Sequence, residues 1–179
     1  VSELRLVDKI VTLCQHFDRA RLGYALGGAL ALAYATAEPR GTRDIDVDVF
    51  VPAHDVGRVF AALPPGVRRG GTDARQARAH DQVRVWWDDT PVDLFFAAER
   101  WQFDVERRCR TVPFAGHTVR VLSAEDLAVY KALFDRRRDW VDIEAIAACG
   151  ALDAPLAADR LAALLSANDP RVTRLRHLS

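Results

Sequence analysis

Lysine is nearly absent from this chain. Of 25 basic residues among 179, only Lys9 and Lys131 are lysines and the other 23 are arginines, so each lysine raises the question of what its compact charge is for. Net charge is absent as well. The 25 Lys and Arg are matched by 25 Asp and Glu, which excludes a polybasic protein that grips phosphates through total charge alone. Cysteine is scarce: Cys14, Cys109 and Cys149 are odd in number, far apart and without CxxC spacing. They read as reduced packing residues rather than a disulfide frame or zinc site. No apolar stretch reaches the roughly 18 residues of a membrane span. The opening VSELRLVDKI lacks the basic-then-apolar layout of a signal peptide, so the expectation is a cytoplasmic chain with no membrane partner. No repeat, low-complexity tract or Gly/Ser linker is visible. Half of the residues are hydrophobic, enough for one domain with a real core, or a core domain with a small helical appendage.

Periodicity organises what remains. Residues 3–20 carry Leu4, Val7, Ile10, Val11, Cys14 and Phe17 at helical spacing. The apolar run 22–26 ends at Gly27-Gly28, and a small-residue helix over 29–37 is stopped by Pro39. RDIDVDVFV then alternates Asp44, Asp46 and Asp48 with Ile45, Val47 and Val49, a period-two strand with one carboxylate face. A short helix is expected over 54–63, and the Arg- and Gly-rich stretch 67–80 reads as mostly irregular. Runs 82–87 and 92–96, joined by DDTP, suggest a hairpin, as do 109–114 and 118–122 around Ala115-Gly116. Ser123-Ala-Glu-Asp126 looks like a capping box, and helical spacing follows it to the end with breaks near Gly150 and Pro170. The fold class is α+β, a mixed sheet flanked by helices and followed by a helical C-terminal portion. The expected division is a core over 1–122 and a helical subdomain over 123–179.

Asp44 and Asp46 leave the same strand face about 6–7 Å apart. Carboxylates that close repel unless a cation or a proton is shared. A hard divalent ion takes such oxygen ligands, and Asp93, alone on the polar side of PVDLFF, is placed to complete a two-ion site. The plainer reading is a solvated acidic strand face, which suits Asp48 best, although a slipped register would make Asp46 and Asp48 the pair. Upstream, Gly27-Gly28 ends a strand and opens a helix, where free N–H groups and the dipole favour a phosphate. A Gly-Gly alone more often marks a turn; beside an acid pair it becomes a phosphate cradle next to a metal site.

LGGALALAYATAEPRGTRDIDVDVFV resembles the DNA polymerase β-like nucleotidyltransferase superfamily, and is closest in pattern to its AbiEii-type branch, where many toxins of toxin–antitoxin pairs are found. That branch shows a Gly-Gly or Gly-Ser turn, a helix, and an Arg-x-Thr-x-Asp-x-Asp run, here Arg40, Thr42, Asp44 and Asp46. The second glycine stands where serine is commoner, and the spacer to Asp44 is long. The resemblance spans residues 24 to about 146. It implies metal binding by Asp44, Asp46 and Asp93, with Asp93 also deprotonating the acceptor hydroxyl, and nucleotide binding around Gly27, Gly28, Arg40 and Thr42.

In SAEDLAVYKALFDRRRDWVDIEAI, an unbroken helix would put Lys131, Asp135, Arg138 and Asp142 near one face, with Leu127, Tyr130, Phe134, Trp140, Val141 and Ile143 supplying apolar contacts. The pattern alone equally describes a solvated face stitched by ion pairs. The resemblance gives Lys131 a nucleotide phosphate, with Asp139 and Asp142 orienting it or nearby arginines and Asp135 competing for that role. Arginines cluster at 68–78, 107–110, 136–138 and in the tail; each cluster reads as solvated surface, though several around a cleft could track an RNA backbone. Of Trp86 and Trp87, which alternate faces, at least one belongs to a core and the other could stack a base. The five histidines show no ligand spacing, with His80 the least settled.

The leading expectation is an enzyme that moves a nucleoside monophosphate from an NTP to an acceptor hydroxyl, using about two Mg²⁺ ions. By resemblance the acceptor is RNA, the 3′ end of tRNA, and the protein is a toxin controlled by a cognate antitoxin. A small-molecule antibiotic acceptor, for which the acidic DDT turn could serve, is the second reading. A catalytically inactive binding module is the third, and three intact acids speak against it.

Overall fold

The computed structural model describes residues 4–178 and divides into two compact units. Of the described residues, the first comprises 4–28 and 41–121, the second 29–40 and 122–178.

The first unit is a seven-stranded sheet with helices. Its strands are β1 (Tyr24–Leu26), β2 (Ile45–Val49), β3 (Val67–Arg68), β4 (Gln82–Trp87), β5 (Thr90–Phe96), β6 (Arg110–Phe114) and β7 (His117–Val121), in spatial order β3-β4-β5-β2-β1-β7-β6. The sheet is mixed: β2 runs parallel to β5 and antiparallel to β1. Alternation decides what each strand buries. On β4, Val83, Val85 and Trp87 are buried while Gln82, Arg84 and Trp86 are exposed. The β6–β7 hairpin turns through Ala115 and Gly116, both at positive φ, the geometry that a two-residue turn between twisted strands requires. Helix α1 (Leu6–Arg19) presents Ile10, Leu13 and Phe17 to the core, all at 1% exposure or less. Its expected start at residue 3 lies outside the described residues.

One stretch of this unit and one residue of β2 depart from the sequence reading. Residues 67–80 are not irregular: they form β3 and α4 (Asp73–His80), after α3 (Val56–Ala62). Arginine is a good helix former, Asp73 sits in the first turn, and Arg78 and His80 sit in the last, which suits the helix dipole. A further helix, α5 (Arg100–Arg108), begins where Gln102 Oε1 accepts the Glu99 N–H, the returning half of a capping box. Asp48 also departs from expectation. It is buried rather than solvated, on a strand that lies between β1 and β5, where Asp48 stands opposite Ala25 and Phe95.

The second unit is helical: α2 (Gly28–Thr36, entering from the end of β1), α6 (Ala124–Phe134), α7 (Arg137–Ala148), α8 (Ala154–Leu164) and α9 (Pro170–Arg176). Ser123 caps α6 by accepting the Asp126 N–H, as its sequence predicts, while Arg160 pairs with the Asp126 carboxylate. No continuous helix joins Lys131 to Asp142. Asp135 is left-handed at φ 53 and ends α6, and Arg136 opens α7. The break changes the helical phase, so Phe134 and Val141 are exposed while Trp140, Ile143 and Ile146 are buried. Cys149 is exposed rather than a packing residue, while Cys14 is buried. Among the described residues no helix is long and apolar enough to cross a membrane.

Candidate active site

The parallel pairing of β2 with β5 places Asp46 opposite Asp93, and Asp44 lies immediately before β2. Asp44, Asp46 and Asp93 each offer a carboxylate oxygen within 4.8 Å of the other two. An octahedral Mg²⁺ at 2.0–2.1 Å from its ligands spans about 4.2 Å between opposite oxygens, and two-ion sites hold their ions about 3.5–4 Å apart. The all-oxygen set and its spacing therefore fit hard divalent cations. Thr42 orients one member, its Oγ1 lying 2.5 Å from Asp44 Oδ1 as the hydroxyl donates.

Gly27 and Gly28 are built into the same spot. The Gly27 N–H donates to the Asp46 carbonyl at 2.9 Å. Gly28 is left-handed at φ 49, and a Cβ there would fall 1.9 Å from Asp46 Oδ2. Glycine at position 28 is thus required by both its backbone and its neighbour. Any side chain at position 28 would displace the Asp46 carboxylate.

On the other side of Asp93 stands a residue the sequence reading passed over. Arg84, opposite Asp93 in the β4–β5 ladder, grips it with two parallel bonds of 2.7 and 2.6 Å. That hydrogen-bonded pairing, with Asp44 and Asp46 adding attraction, raises the Arg84 pKa against a lowering by burial. The hairpin could have revealed it: with Asp88-Asp89 at the turn, Trp87 pairs with Thr90 and Arg84 with Asp93 by counting. A pocket of about 430 Å³ opens here, lined by Gln76, His80, Gln82, Arg84 and Asp93. Another, of about 450 Å³, is lined by Gly41, Thr42, Arg43 and Asp44.

The acidic DDT turn has a structural occupant. Lys9 on α1 is buried, and its Nζ donates to the Trp87 carbonyl and Thr90 Oγ1 at 3.0 Å each. Asp88 and Asp89 lie 3.2 and 3.7 Å from the same ammonium.

The remaining candidates meet within the second unit. Lys131 Nζ lies 2.6 Å from Asp142 Oδ2 and 3.8 Å from Asp139 Oδ1, between α6 and α7. Arg40 takes the other Asp142 oxygen, also at 2.6 Å. Burial works against ionised Asp139, yet hydrogen bonds from Arg136 and the charges of Arg136 and Lys131 keep its pKa below the usual value. Asp135 does not share this cluster, because it accepts from Trp140 Nε1 at 2.7 Å. The tail arginines are paired too, Arg171 with Asp169, Arg174 with Glu144 and Arg176 with Asp159.

No protein-family model and no curated protein sequence matches the chain. Its fold does match solved structures. ANT(2″)-Ia in complex with adenylyl-2″-tobramycin superposes with a TM-score of 0.63 at 18% identity, over 89% of this chain and 97% of that one. The chain has a nucleotidyltransferase fold. An antigenic nucleotidyltransferase-like protein from Paracoccidioides brasiliensis follows at TM-score 0.57 and 17% identity, over 97% and 93% of the two chains. The lincosamide antibiotic adenylyltransferase LnuA, lincomycin-bound, matches at 0.54 and 12%, over 81% and 98%. The α+β class and mixed sheet read from the sequence agree with this fold.

Proposed function

We propose that this protein is a metal-dependent nucleotidyltransferase that moves a nucleoside monophosphate from an NTP to an acceptor hydroxyl, with pyrophosphate as the second product. The observation that carries the reading is the convergence of Asp44, Asp46 and Asp93, with Gly28 stripped of a side chain beside Asp46. Divalent ions held by these acids, Mg²⁺ by their hard oxygen ligands, would supply charge stabilisation at the attacking and leaving oxygens. The chain's own residues do the rest. The Gly27-Gly28 turn makes room for the Asp46 carboxylate and opens α2, whose first N–H groups and dipole favour a phosphate. Thr42 fixes the Asp44 carboxylate, and Asp93 accepts the proton of the acceptor hydroxyl. Lys131, with Arg40, takes nucleotide phosphate, and Asp139 and Asp142 orient the two cations.

The acceptor is RNA, the 3′ end of tRNA, and the biological setting is a toxin held in check by a cognate antitoxin. The resemblance of the Arg40–Asp46 run to the AbiEii-type branch supports this, as does the engagement of the DDT acids by Lys9, which leaves them less suited to a cationic drug. Incubating the purified protein with Mg²⁺, cellular RNA and each of four α-labelled NTPs should label RNA, and Asp46→Ala should not. Absence of labelling by the wild type sinks the RNA reading.

A small-molecule acceptor is the second reading, favoured by the fold match to ANT(2″)-Ia and LnuA, whose bound molecules are adenylyl-2″-tobramycin and lincomycin. Replacing RNA with an aminoglycoside or lincosamide in the same assay separates the two. Calorimetry with Mg²⁺ and each NTP separates both from an inactive module, which need bind neither.

A further inference from the structure

Beyond the grip of Arg84 on Asp93, the exposed face of β4 carries side chains that the proposed reaction does not use. Gln82, Arg84 and Trp86 alternate along it, and the ladder places Arg84 beside Asp93 and Arg68 of β3 beside Trp86. Pro91 and Asp93 share this face from β5. Trp86 is 42% exposed and the Arg84 side chain 48%, while the neighbouring Trp87 is buried at 4%. A strand rises about 3.3 Å per residue, so the indole sits one step of about 6–7 Å along β4 from the arginine that touches the acids. An exposed tryptophan on a strand costs apolar hydration, and here its ladder neighbours are Arg68 and Pro91, with Arg84 one step along β4 and already paired with Asp93.

We propose that this face is a binding strip for single-stranded RNA, in which Trp86 stacks a base and Arg68 attracts the phosphates of a strand whose end reaches Asp93, held in place by Arg84. The placement beside the acids rests on the nucleotidyl-transfer reading; the strip itself does not. Aromatic rings stack any base, and arginines next to them supply backbone attraction, the combination used by sequence-tolerant single-strand binders. The sheet order adds a geometric reason. Gly28, at the end of β1, lies on one side of the acid-bearing strand β2, and β5 and β4 lie on the other. An in-line displacement needs the leaving phosphate and the incoming hydroxyl on opposite sides of the reacting phosphorus. The β4 side is then the acceptor side. The pocket between α4 and β4 continues this face with Gln76, His80 and Gln82, polar groups that add no carboxylate of their own. Arg68, whose guanidinium donates to the neutral Asp88 carbonyl, keeps its positive charge for a polyanion, while Arg84 shares its own with Asp93.

The test is fluorescence anisotropy with a labelled, unstructured RNA dodecamer, without NTP or Mg²⁺, on the full chain. Trp86→Ala should weaken binding about 5- to 100-fold, and Trp86→Phe should restore most of it. Arg68→Ala should lower the salt dependence of binding by about one phosphate contact. Asp46→Ala, which abolishes transfer if the proposed reaction is right, should still bind the RNA. RNA binding that is absent from the wild type, or unchanged in Trp86→Ala, overturns the strip while leaving Asp46-dependent transfer standing. Trp86-dependent binding without transfer supports the strip and counts against the reaction.

Discussion

Replacing Gly28 by alanine tests whether the turn and the acid pair are one construction. Two costs can be separated. The backbone at φ 49 is left-handed, and a side chain there costs roughly 1–2 kcal/mol whatever surrounds it. The second cost is specific, since the new Cβ would meet Asp46 Oδ2 at 1.9 Å and Cγ at 2.6 Å, so the carboxylate must leave its place. Forcing a methyl into such a site costs about 1–3 kcal/mol more. In an Asp46→Ala background the carboxylate is gone, and the nearest remaining Asp46 atom is Cβ, at 3.0 Å. Gly28→Ala should then cost the backbone part and a small adjustment around that 3.0 Å contact. For a chain of this size each kcal/mol moves the midpoint by about 2–4 °C. The thermal midpoint should therefore fall by about 4–20 °C in the wild-type background and by about 2–8 °C in Asp46→Ala. Mn²⁺ affinity, followed by electron paramagnetic resonance, should drop at least tenfold in Gly28→Ala as Asp46 is pushed aside. Equal thermal costs in the two backgrounds, within about 0.5 kcal/mol, would refute the coupling.

Lys9→Met keeps the buried stem but removes a charged donor to Trp87 and Thr90, and should cost about 1.5–3 kcal/mol in urea denaturation. Lys131→Met breaks a 2.6 Å pair whose acid keeps Arg40, so the loss should be about 1–2 kcal/mol rather than the 3–5 of a charge left alone. The Asp169 pKa is lowered to about 2, chiefly by the Arg171 side chain and then by its backbone N–H, so the cap on α9 stabilises the helix fully above about pH 4. That contribution is lost as pH falls through about 2, and amide exchange in residues 170–176 should quicken over this window in the wild type but not in Asp169→Asn. Burial first of all pushes the Cys14 thiol up to about 12, so at pH 8 iodoacetamide should modify Cys149 while native Cys14 is spared, as peptide mass spectrometry would show.

What the sequence announced and what it hid have different physical sources. Period-two alternation announced β2 and the common face of Asp44 and Asp46, because side-chain direction in a strand follows from the backbone alone. Ala115-Gly116 announced its hairpin because few residue pairs accept two positive φ values. The end of α6 was hidden, since Asp135 adopts the left-handed conformation without a glycine or proline to mark it. An aspartate tolerates that region better than most residues, but nothing local demands it. Helix α4 was hidden by composition: Gly70-Gly71 and dense arginine resemble a loop, although arginine itself favours helix. Arg84 was hidden for another reason, in that strand pairing is non-local and appears only once a turn has been fixed.

The two lysines bear on why so arginine-rich a chain retains any. Lys9 is enclosed by a carbonyl, a hydroxyl and two carboxylates at the β4–β5 turn, with its side chain 1% exposed. Lys131 sits between Asp142 and Asp139 with 12% exposure. Several acceptors converge on one point in each case, and a compact ammonium with rotatable donors fits a point where a planar guanidinium needs a slot. The exposed arginines meet acids edge-on instead, as Arg84 meets Asp93. Lysine at these two positions is therefore a geometric choice, and it follows that scarcity alone cannot assign Lys131 to substrate. A phosphate contact would require its ammonium to give up part of the hold on Asp142, and the presence of Arg40 on the second Asp142 oxygen is what makes that exchange affordable for the fold.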